Sequence, residues 1–171
     1  MKAKKLLTTL LAAVLLTGCS GSGTPASTPD PYAGLKEYSY KNVKLYLPED
    51  QKFSEMTAQG FEYAVTSDKL IVFMVSEKRE DFAAAGKENI TMEEYVEVCT
   101  QNSENLEVKK IRDDFYRAEY TYTSGDNHFF YVTGLFEKDD TFWIINLASL
   151  ESNREEMLPK MEELIEKVII E

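Results

Sequence analysis

Apolar and polar residues alternate with a period of two over most of the chain beyond Leu35, which is the pattern of β-strands. Turn-forming pairs such as Lys41-Asn42 and Gly125-Asp126 separate the alternating segments. We therefore predict two strands within 37–50, on either side of Lys41-Asn42, followed by strands at Phe61–Thr66, Leu70–Val75, Val108–Ile111, Phe115–Thr123, Phe129–Glu137 and Phe142–Leu150.

The short turns at 124–127 and 138–141 predict which residues face one another in the last three strands. If both close tight hairpins, the register pairs Tyr120 with Tyr131 and Phe136 with Trp143. Both faces of the last two strands are then apolar, and Trp143 is predicted to belong to the core.

The run Leu70–Val75 is apolar without interruption, which is typical of a strand covered on both sides. Both faces of the sheet therefore need a cover. Helices are the only elements left to provide it.

The first predicted helix begins at Thr91, which forms a capping box with Glu94. It is expected to run to about Asn102. Its apolar stripe consists of Met92, Tyr95, Val96 and Cys99. Cys99 is therefore interpreted as a core residue rather than a reactive thiol.

The second predicted helix begins with a further capping box at 152–155. Pro159 is expected to break or restart it, because proline fits only the first turn of a helix. The apolar stripe after this proline consists of Met161, Leu164, Ile165 and Val168.

These elements predict an α/β fold, in which an antiparallel sheet is flanked by helices as an α/β/α sandwich. The arrangement resembles PsbP-like domains in three segments, Tyr38–Pro48, Thr91–Tyr95 and Thr141–Ile170. The resemblance implies a PsbP-like domain over residues 35–171. PsbP-like domains are relatives of an extrinsic photosystem subunit. The resemblance does not extend to function, because no partner-binding or ion-binding residue of that subunit can be matched in this sequence.

The first 18 residues have the features of a signal peptide. Three lysines precede an uncharged run, Leu6–Leu16, which is shorter than the roughly 20 residues that a membrane-spanning helix needs. Leu16-Thr17-Gly18-Cys19 then resembles a bacterial lipobox. The resemblance implies cleavage before Cys19 and a diacylglycerol group on its thiol. The alternative is an ordinary secretory signal in which Cys19 has no role.

The segment 19–34 is rich in Gly, Ser, Thr, Pro and Ala, and is predicted to be a disordered tether behind the lipidated Cys19. Without residues 1–18 the chain has 16 basic and 30 acidic residues, a net charge of −14. This charge argues against a nucleic-acid partner and against docking of the domain on anionic lipid.

Few residues of the chain are suited to catalysis or metal binding. His128 is the single histidine and follows a predicted turn, and no nucleophile motif accompanies it. One histidine and one remaining cysteine are too few for a zinc site. The aspartate pairs 113-114 and 139-140 lack the spacing of a calcium loop. We therefore expect no catalytic residue, no metal and no cofactor.

Three tyrosines of one strand, Tyr116, Tyr120 and Tyr122, project to the same face as Phe129 and Tyr131. Either a helix covers them as part of the core, or they form an aromatic binding surface. The sequence thus predicts a lipid-anchored domain on the outer side of a cell membrane. Its expected role is to bind a protein or cell-wall partner without catalysis. The alternative is a small extracytoplasmic hydrolase, and the oligomeric state is left open.

Overall fold

In the computed structural model, which describes residues 30–171, ten strands form two antiparallel sheets. The strands are β1 (Leu35–Tyr40), β2 (Val43–Pro48), β3 (Ser54–Glu55), β4 (Tyr63–Thr66), β5 (Ile71–Lys78), β6 (Glu104–Arg112), β7 (Phe115–Ser124), β8 (Asn127–Lys138), β9 (Thr141–Leu150) and β10 (Ile169–Ile170). Seven of them form the main sheet in the order β3-β4-β5-β9-β8-β7-β6, and β1-β2-β10 form a smaller one.

The predicted register of the last three long strands is confirmed. Ser124 pairs with Asn127 and Lys138 with Thr141, so both turns are tight. Tyr120 accordingly faces Tyr131, and Phe136 faces Trp143. The pairing of β5 with β9 then places the strand at 71–78 in the middle of the main sheet.

One face of the main sheet, which we call the closed face, is covered over its central strands. Helix α2 (Arg154–Glu166) packs on it, and so does β2 of the smaller sheet. The prediction that helices alone provide the cover is wrong on this side. Val43, Leu45 and Leu47 of β2 are at most 2% exposed, because strand alternation points all three toward the same core. Trp143 is 4% exposed and lies in this core, as predicted.

An arginine joins α2 to the closed face. The Arg117 side chain is only 10% exposed and forms ion pairs with Glu119 of its own strand at 3.2 Å and with Glu162 and Glu166 of α2 at 2.5 and 2.9 Å. Removing Arg117 would therefore leave three carboxylates around this position without their cation.

The opposite face is covered over part of its length by α1 (Met92–Thr100) and a 3-10 helical segment (Arg79–Ala85). The core below α1 contains Tyr95, Tyr116, Leu135 and Phe142. The expectation that both sides of Leu70–Val75 are covered is therefore only half right. Val72 and Met74 are fully buried in the closed face, whereas Ile71, Phe73 and Val75 remain partly exposed on the other side.

The two helix starts differ. At α1 the predicted capping box is present: the Glu94 backbone N–H donates to the Thr91 hydroxyl at 3.2 Å, and the Thr91 N–H donates to the Glu94 carboxylate at 2.8 Å. The capping box predicted at 152–155 is wrong. A 3-10 turn (Glu151–Asn153) precedes α2, and the Asn153 side chain donates to the Ser149 hydroxyl instead of capping the helix.

The predicted break at Pro159 is also wrong, because α2 continues through it. Pro159 lies on the exposed side of the helix, while Met157 and Met161 on either side of it are fully buried. The free energy gained by burying these two side chains outweighs the loss of the backbone hydrogen bond that proline cannot donate. After α2 the chain adds β10 to β2, a pairing that the sequence pattern did not predict.

The predicted signal peptide, Cys19 and most of the predicted tether lie outside the described residues. The last part of that tether, 31–34, forms a turn, and Gly34 accepts a backbone hydrogen bond from Glu49. No helix within residues 30–171 is long and apolar enough to span a bilayer.

Candidate functional site

Exposed apolar side chains are concentrated on the α1 side of the molecule. Among residues 30–171, eight large hydrophobic side chains are exposed. Ile169 of β10 is one of them. Strand pairing and alternation place the other seven on α1 or on the α1 side of the main sheet: Met56, Phe61, Val98, Leu106, Val108, Tyr122 and Leu150. Single exposed apolar residues are normal on protein surfaces, but clustering on one side is typical of an interaction surface.

The short length of α1 explains this exposure. With nine residues, α1 is only about 13 Å long, whereas strands of ten to twelve residues extend for more than 30 Å. The helix covers the end of the sheet near Tyr116, Leu135 and Phe142 and leaves the other end without a helix above it. We call this uncovered surface the open face, and it consists of Phe61, Ile71, Phe73, Tyr120, Tyr122, Phe129, Tyr131, Asn146 and Leu150.

Four aromatic rings form a continuous row across the open face. Phe61 packs on Phe73 with ring centroids 4.3 Å apart, and Phe73 contacts Tyr131 edge to face at 6.2 Å. Tyr131 stacks on Tyr120 at 4.8 Å with the two rings nearly parallel. Each such pair contributes about 0.5–1.5 kcal/mol to stability in addition to the burial of its apolar area. The row is therefore a preorganised surface.

A cleft of about 210 Å³ opens between this row and α1. Asn146 of β9 lies at its floor and is 5% exposed. Its Oδ1 accepts hydrogen bonds from the Thr133 hydroxyl at 2.8 Å and from the Tyr120 hydroxyl at 3.3 Å. Asn146 is thereby held in one orientation by groups on two neighbouring strands.

The side chains that line the cleft carry no charge. Burial raises the pKa of the Cys99 thiol to about 11, and it also raises the pKa of Tyr120. Next to the cleft, burial raises the pKa of Tyr131 to about 12. All three groups are therefore protonated at neutral pH, and the cleft suits a neutral ligand group.

The structure separates the three tyrosines that the sequence placed on one candidate surface. Tyr116 is 6% exposed below α1, and its hydroxyl donates to the Glu93 carboxylate at 2.5 Å. Tyr120 is half-buried at the cleft, and Tyr122 is 55% exposed beyond it. Only Tyr120 and Tyr122 contribute to the open face. Whether they bind a partner stays a prediction.

Sequence reasoning missed Phe61, Phe73 and Asn146 as members of this site. Phe73 comes opposite Asn146 through the pairing of β5 with β9, and no short turn predicts that pairing. The feature of the sequence that could have revealed Phe73 is its position in the apolar run Leu70–Val75. That run was interpreted as a strand covered on both sides.

The residues considered for catalysis and metal binding lie apart from the open face's cleft. His128 is exposed near the start of β8, and its Nδ1 is 3.0 Å from the Thr123 hydroxyl. Asp139 and Asp140 form a tight turn in which both have positive φ. Within the described part of the chain, no group of three or more His, Cys, Asp or Glu side chains is arranged to hold a metal ion.

No known protein family and no curated protein matches this sequence. Solved structures do match. The solution structure of PsbP from the cyanobacterium Synechocystis sp. PCC 6803 is 14% identical, with a TM-score of 0.52 over 91% of this chain and 99% of that one. The Ran-binding protein Mog1p of Saccharomyces cerevisiae is 8% identical, with a TM-score of 0.51 over 80% of this chain and 95% of that one.

LpqN of Mycobacterium tuberculosis, a protein involved in cell envelope biogenesis, is 7% identical over 78% of this chain and 90% of that one. Its TM-score of 0.46 is too low to support an argument. At identities this low, the first two likenesses bear on the fold alone. They agree with the antiparallel sheet between covering elements described above, and the domain therefore has a PsbP-like fold.

Proposed function

We propose that this chain is a lipid-anchored interaction module on the outer side of a cell membrane, and that it binds its partner through the open face. The observation that carries the proposal is that seven of the eight large apolar side chains exposed among residues 30–171 lie on the α1 side, and that three of them, Phe61, Tyr122 and Leu150, belong to the open face. Water-exposed apolar area of this kind has a free-energy cost, and a partner that covers it would recover about 25 cal/mol for each Å².

Charge supports the same surface. Without the predicted signal peptide the chain has a net charge of −14. It therefore repels other acidic molecules, including further copies of itself. The cleft of the open face has no charged side chain, so a partner can approach it without burying an unpaired charge. A neutral, aromatic surface is typical of the centre of protein interfaces.

The structural neighbours are compatible with a binding role. The yeast neighbour Mog1p is a Ran-binding protein, which shows that this fold can serve binding, although the analogy does not identify a partner for this chain.

The anchor is tested by exchanging each cysteine separately. Cys19→Ser is expected to prevent lipid attachment and so to release the protein from the membrane fraction or to leave it unprocessed. Cys99→Ser is the matched control, because it removes the other thiol and is expected to leave the protein on membranes. If Cys19→Ser chains of mature length still sediment with membranes, the proposed anchor is wrong.

The open face is tested by site-specific photo-cross-linking in intact cells. A photoreactive phenylalanine at Tyr122 is expected to give a discrete cross-linked product, because this ring is exposed at the edge of the open face. The same group at Ile169, which is exposed on the smaller sheet, is the control and is expected to give none. Equal products from both positions, or none from Tyr122, would contradict the proposal.

A further inference from the structure

The Asn146 amide at the floor of the cleft has one end occupied and one end free. Its Oδ1 accepts from the hydroxyls of Thr133 and Tyr120. Its Nδ2, a donor of two hydrogen bonds, has no partner among residues 30–171, although the residue is 5% exposed. Buried polar side chains normally have their hydrogen bonds satisfied, so this donor is a departure from the rule.

The free nitrogen is accessible from the cleft. Two other side-chain nitrogens of the described residues, Arg117 Nε and Trp143 Nε1, lack partners and are fully enclosed. Asn146 Nδ2 is not enclosed in this way, and the space next to this little-exposed residue is the cleft itself. An acceptor atom that enters the cleft can therefore reach it.

The size and walls of the cleft limit what can enter. About 210 Å³ is less than the roughly 300–1,000 Å³ of pockets that hold whole small-molecule ligands, and it suits one ring-sized group. Phe61, Phe73, Val75 and Ile144 make most of the wall apolar. A sugar ring would bring several hydroxyls and leave most of them without partners, which is unfavourable.

We infer that the cleft receives one neutral aromatic side chain of a partner protein, a tyrosine whose hydroxyl oxygen accepts a hydrogen bond from Asn146 Nδ2. This inference rests on the proposed function, because it identifies the group that the partner would insert into the open face. The inserted ring extends the row formed by Phe61 and Phe73, and the hydrogen bond satisfies the free donor.

The first test uses p-cresol, the side chain of tyrosine as a free molecule, added to the purified protein at millimolar concentration. Amide and side-chain NMR signals of Asn146 and of residues lining the cleft are expected to shift and saturate. Toluene, which lacks the acceptor, is expected to bind more weakly. N-acetylglucosamine is expected to cause no shifts there, and tighter binding of this sugar than of p-cresol would overturn the inference.

Variants separate the hydrogen bond from the apolar walls. Asn146→Ala is expected to weaken p-cresol binding about fivefold, equivalent to one net hydrogen bond, and to leave toluene binding unchanged. Phe61→Ala, which removes part of the cleft wall at a position that is 38% exposed, is expected to weaken the binding of both probes. Ile169→Ala, which changes an exposed apolar residue of the smaller sheet outside the open face, is the control and is expected to change neither.

The outcomes distinguish this inference from the proposed function. If p-cresol causes no saturable shift at the cleft while Tyr122 still cross-links to a partner, the inference fails and the proposed function stands. If Asn146→Ala does not fold, Phe61→Ala decides: unchanged p-cresol affinity in that variant overturns the inference. Equal weakening of toluene and p-cresol by a folded Asn146→Ala chain also overturns it.

Discussion

The two faces of the main sheet have the same apolar pattern but different surroundings. Phe129 and Phe130 are neighbours on β8 and point to opposite sides. Phe130 on the closed face is fully buried, whereas Phe129 on the open face is only half-buried. Alternation makes both faces apolar, and the length of the covering elements determines which apolar surface remains available to a partner.

Polar groups differ between the faces in the same way. On the closed face, the indole nitrogen of Trp143 is enclosed without a partner, so its unmet hydrogen bond only reduces stability. On the open face, the free amide nitrogen of Asn146 adjoins a cleft, so an incoming molecule can meet it. An unsatisfied donor therefore suggests a function only where a ligand can reach it.

Trp143→Ala tests the closed face and has the largest expected effect. Removing this 4% exposed ring is expected to lower the free energy of unfolding by roughly 3–5 kcal/mol, measured by chemical denaturation. Tyr122→Ala, which removes an exposed ring on the other face, is the control and is expected to change it by less than about 0.5 kcal/mol. A loss below about 1 kcal/mol for Trp143→Ala would mean that the closed face is not closed.

Cys99 tests whether the cleft on the open face is as dry as its walls imply. Burial raises its pKa from 9.0 to about 11, so the thiolate fraction near pH 8 is about a hundredfold lower than for an ordinary thiol. In Cys19→Ser protein, where Cys99 is the only cysteine, alkylation by iodoacetamide is expected to be slower by about that factor than in the unfolded chain. Equal rates in folded and unfolded protein would contradict the partly buried position of Cys99.

Gly134→Ala tests how closely α2 approaches the closed face. A Cβ atom at this position would lie 2.8 Å from a side-chain carbon of Ile165 and would also overlap the Phe136 ring. Overpacking of this kind is expected to cost about 1–3 kcal/mol, seen as a lower denaturation midpoint. An unchanged midpoint would show that α2 can move away from β8 without loss.

Glu119→Gln has the smallest expected effect and tests the carboxylates around Arg117. Burial, followed by the nearby Glu162, raises the pKa of Glu119, while Arg117 opposes this. The folded state therefore binds a proton that the unfolded state has released, and the stability from Glu119 is lost as the pH rises through its folded pKa.

Glu119→Gln should consequently stabilise the protein at pH 7, by less than about 1 kcal/mol, and the gain should disappear near pH 4. Thermal unfolding at both pH values measures it. Glu97→Gln, at an exposed position on α1, is the control and should show no such difference. A gain that is larger at pH 4 than at pH 7 would reverse the assigned sign.

Local features of the sequence were sufficient to predict the hairpins, their register and the start of α1. The turn at 124–127 and the period of two are properties of neighbouring residues, so Tyr120 could be placed opposite Tyr131 without a structure. The burial of Trp143 followed from the same pattern. The capping box of Thr91 and Glu94 is equally local.

The candidate site was decided by contacts between residues far apart in the chain. The pairing of β5 with β9 brings Phe73 beside Asn146, and the position of α1 buries Tyr116 while leaving Tyr122 exposed. Packing of Met157 and Met161 likewise keeps α2 continuous through Pro159, against its local propensity. The sequence pattern alone specifies which side chains are apolar; the lengths and docking of distant elements determine which of them remain uncovered.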